Sequence, residues 1–194
     1  RLAGIAQMKT KLRAQFKNRR VAPAASAAIQ KMLLAQDWWA AGFQVGLYRA
    51  VATEPATDLL LADLLARGAQ VAVPRREKNG YVWSWVDATT RWVAGAHGIM
   101  EPALRVPAAA AELRIIVVPG VAFDRAGGRL GHGTGHYDRL LAGSDALRVG
   151  LCDEARLVTQ VPMDAHDARM DLIVTEKQVR FMAGAEEKLA RLTG

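Results

Sequence analysis

The 194-residue sequence has one cysteine, Cys152. A single thiol excludes an internal disulfide framework and suits a reducing compartment, so a cytoplasmic location is expected. Aromatic residues make up 6% of the chain. They do not interleave with the basic stretches as a stacking platform for single-stranded nucleic acid requires. No apolar run approaches the roughly 20 residues that span a bilayer, so no membrane association is expected. The opening stretch RLAGIAQMKTKLRAQFKNRR is basic but lacks an apolar signal core, and no secretion signal is expected. It starts at Arg1 rather than Met, so earlier residues are expected to be missing. Acidic residues are in deficit, 19 against 26 basic ones, for a net charge of +7. That balance fits an anionic partner, either nucleic acid or a phosphorylated or polycarboxylate small molecule, and equally a solvated basic surface. Nucleophile motifs are missing too: there is no G-x-S-x-G, and Cys152 has no assigned base.

What is present is an alternation of elements. Residues 2–20 have helical composition, Pro23 breaks them, and Ala24–Ala41 reads as a second helix stopped at Gly42. A strand follows over Phe43–Tyr48, then a helix with Pro55 in its first turn and Leu59, Leu60, Leu64 and Leu65 inward, ending at Gly68. Gln70–Val73 reads as a buried strand stopped by Pro74, and Tyr81–Val86 and Arg91–Val93 as exposed antiparallel strands. Gly95–Arg105 is a loop, and Ala108–Ala111 a short helical turn. Arg114–Val118, Leu147–Leu151 and Asp171–Thr175 supply further strands, and Ala183–Leu192 a closing helix. Strands alternating with helices argue for a largely parallel sheet covered by helices. With no repeat and no linker-like stretch, one domain over residues 1–194 is expected.

One stretch stands apart, VPGVAFDRAGGRLGHGTGHYDRLL from Val118 to Leu141. It leaves the most hydrophobic strand, where ligands of open α/β sheets bind. Gly131, Gly133 and Gly135 let the backbone approach a ligand that a Cβ would exclude. Neither a Rossmann nor a Walker pattern is complete, so the glycines alone fit an anion site or a structural turn. Arg129 before them can neutralise phosphate, and Asp138 after them is a hard oxygen ligand or a helix-terminal charge paired with Arg139. Lys9 and Arg13, four apart, share one helix face and could hold a triphosphate or stay solvated. His166, Asp167 and Asp171 suit a magnesium site through Asp171 better than a zinc site, with an Asx-turn loop as the structural alternative. Glu54 and Glu101 could each face a cleft.

Taken in order, these pieces resemble the 5-formyltetrahydrofolate cyclo-ligase family. The resemblance runs over nearly the whole chain: KTKLR at Lys9–Arg13, VGLYRAVATEPAT with Glu54, HGIMEP at His97–Pro102, the glycine stretch, and the VP…HD…DLIVTE segment ending at Glu176. It implies a single-domain, three-layer α/β sandwich with a largely parallel sheet, of the NagB/RpiA/CoA-transferase type. It implies ATP- and Mg2+-dependent closure of 5-formyltetrahydrofolate, with polyglutamylated forms included, to 5,10-methenyltetrahydrofolate through an imidate phosphate. The partners implied are these small molecules and not nucleic acid, and a monomer is expected.

The residues carried over are Lys9, Thr10, Lys11, Leu12 and Arg13 for ATP, together with Arg129, Leu130, Gly131, His132, Gly133, Thr134, Gly135, His136 and Tyr137. Arg129 and Tyr137 are implied to be catalytic. His132 to His136 also border the folate, with Arg49 and Glu54, and Asp138 and Asp171 would hold the metal. Two positions depart from the family's usual pattern: His136 stands where Tyr is commoner, and Arg49 where an apolar contact is common. A paralogue binding ATP with another substrate, and a basic RNA-binding module, are the alternatives.

Overall fold

A seven-stranded sheet runs through the centre of the molecule in a computed structural model that describes residues 2–41 and 43–193. In chain order the elements are α1 (Leu2–Phe16), α2 (Pro23–Leu34), α3 (Asp37–Ala40), β1 (Gln44–Leu47), α4 (Asp58–Ala66), β2 (Gln70–Glu77), β3 (Gly80–Val86), β4 (Trp92–Ala94), β5 (Met100–Pro102), β6 (Ile115–Val118), β7 (Ala122–Asp124), β8 (Arg129–Leu130), α5 (His136–Leu141), β9 (Leu147–Leu151), β10 (Leu157–Val158), β11 (Leu172–Val174), β12 (Val179–Phe181) and α6 (Ala185–Thr193). The strand order is β12-β11-β9-β6-β1-β2-β3. The five inner strands are parallel, and β12 and β3 close the two edges antiparallel.

The strand residues alternate between two cores. Val45, Leu47, Ile115, Val117, Leu147 and Val149 face α2 and α4 through Ile29, Leu33, Leu60 and Leu64. Ile116, Val118 and Ile173 face the other way, onto Trp83, Phe123, Leu140 and Leu141. All the strand side chains named are buried, each worth about 1.5–3 kcal/mol relative to exposure. On this second face a small sheet, β10-β7-β8, and α5 form the third layer. Phe16 and Leu12 of α1 dock on it through Val121, Ala122, Leu130 and Val161. Gly150 lies in the middle of β9 because a Cβ there would stand 2.5 Å from the Phe123 ring.

Several boundaries differ from the sequence expectations, for physical reasons. The first helix ends at Phe16, and the second breaks at Ala35–Gln36. The break turns Trp39 into the core, 1% exposed, with its indole N–H on Asp63 at 3.1 Å. Gly42 lies outside the described residues. Pro55 precedes α4, whose N-cap is Thr57. Pro74 does not stop β2, because β1 pairs with that strand only as far as Ala72 and the missing N–H is not needed beyond it. β3 is not exposed: residues 106–108 run beside it, with Trp85 N on Val106 O at 2.7 Å and Ser84 0% exposed. The expected loop over residues 95–105 contains β5, which pairs with β4. Strands β7, β8, β10 and β12 are two or three residues long, too short for a period to register. Among the described residues no helix is long and apolar enough to cross a membrane.

Candidate active site

A cavity of about 990 Å3 opens at the carboxyl ends of β1 and β6. Its floor is the loop after β1, Tyr48 to Glu54, and Pro119 after β6. One wall is residues 129–140, another the α1 side chains Lys9 and Arg13, a third the β2–β3 turn with Arg76, Lys78 and Tyr81. His97 and Ile99 from the β4–β5 connection, and His166 and Asp167, complete the lining. Lys9, Arg13, Arg49, Arg76, Lys78, Arg129 and Arg139 line it together with Glu54, Glu77, Asp138 and Asp167. The excess of cations makes it a site for a polyanion.

The floor is pinned before it offers any group. Tyr48 donates from its hydroxyl to Pro55 O at 2.6 Å, and Thr57 donates back to Tyr48 O at 2.6 Å. Glu54 accepts from Val51 N at 3.1 Å through Oε2. Its Oε1 lies 3.6 Å from His132 Nε2, with the carboxylate side chain 9% exposed. Arg49 is held at one nitrogen by Asp58, 2.9 Å away, and lies over the Trp92 ring at 5.0 Å. Its Nε and Nη1 are buried without a hydrogen-bond partner among the described residues.

The glycine loop follows from a turn built on one carboxylate. Asp124 Oδ1 accepts from Ala126 N and Gly128 N at 2.9 and 2.8 Å, and Oδ2 from Val161 N at 2.8 Å. Gly127 takes φ +82°, open to glycine at little steric cost. The chain then enters β8, which aims Arg129 inward. Arg129 donates to Pro119 O at 3.2 Å and to Asp138 Oδ1 at 3.3 Å, and its guanidinium carbon lies 5.7 Å from the centre of the Tyr137 ring. Burial pushes this guanidinium below its usual range, and Asp138 opposes the shift. Gly133 and Gly135 take φ +95° and +65°, which carries the loop around Arg13. Arg13 in turn donates to Gly131 O at 2.9 Å. The Tyr137 phenol is pushed well up by burial and by the Glu54 charge, so it stays protonated at neutral pH. His136 meets Tyr81 edge-on at 4.9 Å, and burial, then Arg139 and Arg76, push it down toward the neutral form.

Of the α1 residues, Lys9 and Arg13 reach the cavity. Thr10 donates from its hydroxyl to Ala6 O, one turn back within α1, at 3.0 Å and lines a smaller neighbouring pocket, Lys11 is exposed, and Leu12 turns to the α1 core. Lys9 is tied by Asp164 at 2.5 Å and Asp167 at 2.6 Å. Burial works against its charge, but those two carboxylates outweigh it and raise its pKa.

Asp171, expected as a metal ligand, does not line the cavity. It precedes β11 at the amino end of the parallel strands, opposite the cavity, and accepts from Arg148 N and Lys188 Nζ, both at 2.8 Å. Asp167, four residues earlier, is the carboxylate of that segment that lines the cavity with Asp138. Glu101 is buried under the β2 backbone, accepting from Arg76 N at 3.2 Å, and is absent from the cavity lining. Cys152 is buried, and burial pushes its thiol far above the usual range, which removes it as a nucleophile. The sequence reading missed Arg76, Lys78 and Tyr81. Asn79-Gly80 signalled a turn, but nothing local told that this turn folds over the glycine loop.

The model of the 5-formyltetrahydrofolate cyclo-ligase family matches residues 2–176. A 5-formyltetrahydrofolate cyclo-ligase of Mycolicibacterium smegmatis is 31% identical over 188 residues, covering 88% of this chain and 94% of that one. The mouse protein of the same name is 25% identical over 190 residues, covering 85% and 92%. The NMR structure of Aquifex aeolicus 5,10-methenyltetrahydrofolate synthetase superposes with a TM-score of 0.79 at 31% identity, covering 91% of this chain and 93% of that one. The synthetase from Mycoplasma pneumoniae, at 18% identity and a TM-score of 0.66 over 87% and 98%, shares the fold.

Proposed function

This chain belongs to the 5-formyltetrahydrofolate cyclo-ligase family, and on that premise we propose that the cavity converts 5-formyltetrahydrofolate and ATP to 5,10-methenyltetrahydrofolate, ADP and phosphate. One observation carries the assignment: a phosphate-suited set, Lys9, Arg13 and Arg129, and the inward carboxylate Glu54 line the same cavity. Two substrates can therefore meet in it.

The formyl oxygen attacks the γ-phosphorus as the bond to ADP breaks, giving an imidate phosphate. Nitrogen 10 then attacks the formyl carbon, loses its proton, and phosphate leaves as the ring closes. Such chemistry needs alignment and charge neutralisation rather than a protein nucleophile, which accords with the inert Cys152. Arg129 is fixed at Pro119 O and over Tyr137, so its charge faces phosphate without reorganising. Glu54 accepts the amino and ring N–H groups of the pterin, with Arg49 beside it. Tyr137 and the backbone of Gly131 to His136 form the partition between nucleotide and folate.

The donor set fits Mg2+ through Asp138 and Asp167, two hard oxygen ligands in one cavity. When bound, the ion supplies charge neutralisation and alignment of phosphate oxygens.

The test is absorbance growth of methenyltetrahydrofolate from 5-formyltetrahydrofolate, with and without ATP and Mg2+. ATP-dependent product is the expected result. Binding of ATP with no turnover by folded protein would instead favour a paralogue with another substrate.

A further inference from the structure

Asp164 does not line the cavity, yet it touches a side chain that does. Lys9 Nζ lies between Asp164 Oδ2 at 2.5 Å and Asp167 Oδ2 at 2.6 Å. Asp164 N also donates to Asp167 Oδ2, at 2.8 Å. One oxygen of Asp167 is therefore taken twice from behind. Its other oxygen, Oδ1, lies 3.8 Å from Nε2 of the exposed His166 imidazole.

That arrangement sets an electrostatic problem. A divalent cation held by Asp167 would share that carboxylate with the Lys9 ammonium, and the two would repel. A single carboxylate cannot neutralise both. We propose that Asp164 is a positioning residue that supplies the missing counter-charge: it holds Lys9 on the far side of Asp167, so that lysine and metal share one carboxylate through different oxygens. Lys9 then remains in place for phosphate while Asp167 Oδ1 stays available. This inference rests on the reading that Asp167 is a metal ligand.

The experiment is a double-mutant cycle on Mn2+ binding, followed by the paramagnetic signal of the free ion, with no nucleotide or folate present. Asp164→Asn is expected to weaken Mn2+ binding, because Lys9 then leans its full charge on Asp167. Lys9→Met is expected to strengthen it, since the competitor is gone. Couplings of this kind run from about 5- to 150-fold in a binding constant. In the Lys9→Met background, Asp164→Asn is expected to lose most of its effect, because it acts through the lysine. An equal loss in both backgrounds overturns the proposal and leaves Asp164 a plain loop-ordering or bulk-charge residue. The variant Asp167→Asn separates the two levels. If it leaves Mn2+ binding unchanged, Asp167 is not a metal ligand and both readings fall. If it abolishes binding while the cycle is additive, only the role of Asp164 falls. Circular dichroism of each variant checks folding, and the opposite signs expected for the two single variants cannot both come from a loosened fold.

Discussion

Arg129 Nη2 stands 3.3 Å from Asp138 Oδ1, so a cation suited to phosphate and a carboxylate suited to metal are each other's partner. Removing either one leaves the other altered, and the two losses can be told apart by which property follows the charge and which follows the hydrogen bond.

Asp138→Ala is expected to abolish turnover with the fold retained. It also leaves the buried Arg129 short of an acceptor, which costs about 1–3 kcal/mol. Asp138→Asn keeps the acceptor, so thermal unfolding should return toward the parent value while turnover stays lost. Near-normal activity in either variant would remove Asp138 from the metal site.

Glu54→Gln keeps the size and one acceptor but removes the charge. A charge-assisted hydrogen bond is worth about 1.5–3 kcal/mol, so kcat/KM for 5-formyltetrahydrofolate should fall by roughly 10- to 150-fold. ATP affinity, measured by calorimetry, should stay within about twofold of the parent. A matching loss of ATP affinity would put Glu54 on the nucleotide rather than the folate.

The Lys9 pair gives a pH signature. Lys9 is raised above its ordinary 10.5, so its stabilisation is present below that value and lost as pH rises through the higher folded one. Asp167 is held below its ordinary 3.8 by Lys9 and the Asp164 N–H, which outweigh burial; its stabilisation is present above 3.8 and lost as pH falls through the lower folded value. The difference in unfolding free energy between the parent and Lys9→Met should therefore be flat across neutral pH, at about 0.5–1.5 kcal/mol. It should shrink at both extremes in urea titrations. A difference that changes between pH 6 and pH 8 (a range of about the histidine pKa) would point to a histidine instead.

Gly150→Ala tests the second core. The added Cβ stands 2.5 Å from Phe123, which is fully buried and cannot swing away. Overpacking of this kind costs about 1–3 kcal/mol, seen as a lowered denaturation midpoint. Phe123→Leu in the same chain should recover part of it, and no recovery would place the cost in the strand backbone.

How far the sequence carried depends on the range of the interaction. The inner strands were readable because each is a buried apolar run bounded by turns, as at Ile115–Val118. The family resemblance implies that Lys9, Arg13, Glu54, Arg129 and the glycine loop share one site, and in the structure all of them line one cavity. Asp167 and Asp171 could not be ranked by type or spacing. Both precede β11, and what separates them is what meets them: Lys9 from 158 residues away for Asp167, Lys188 for Asp171. The β2–β3 turn was missed as a wall for the same reason. Local residues formed it, but distant packing decided what it covers.

Asp124 bonds at once to the backbone of the turn that leads into Arg129 and Asp138 and, through Val161, to the segment that leads into Asp164 and Asp167. Both arms of the site are thus measured from one common mark inside the protein. Their separation is set by the backbone at residues 128 and 161, not by whatever lies between them. The protein carries a fixed gauge for the gap its ligands must fit.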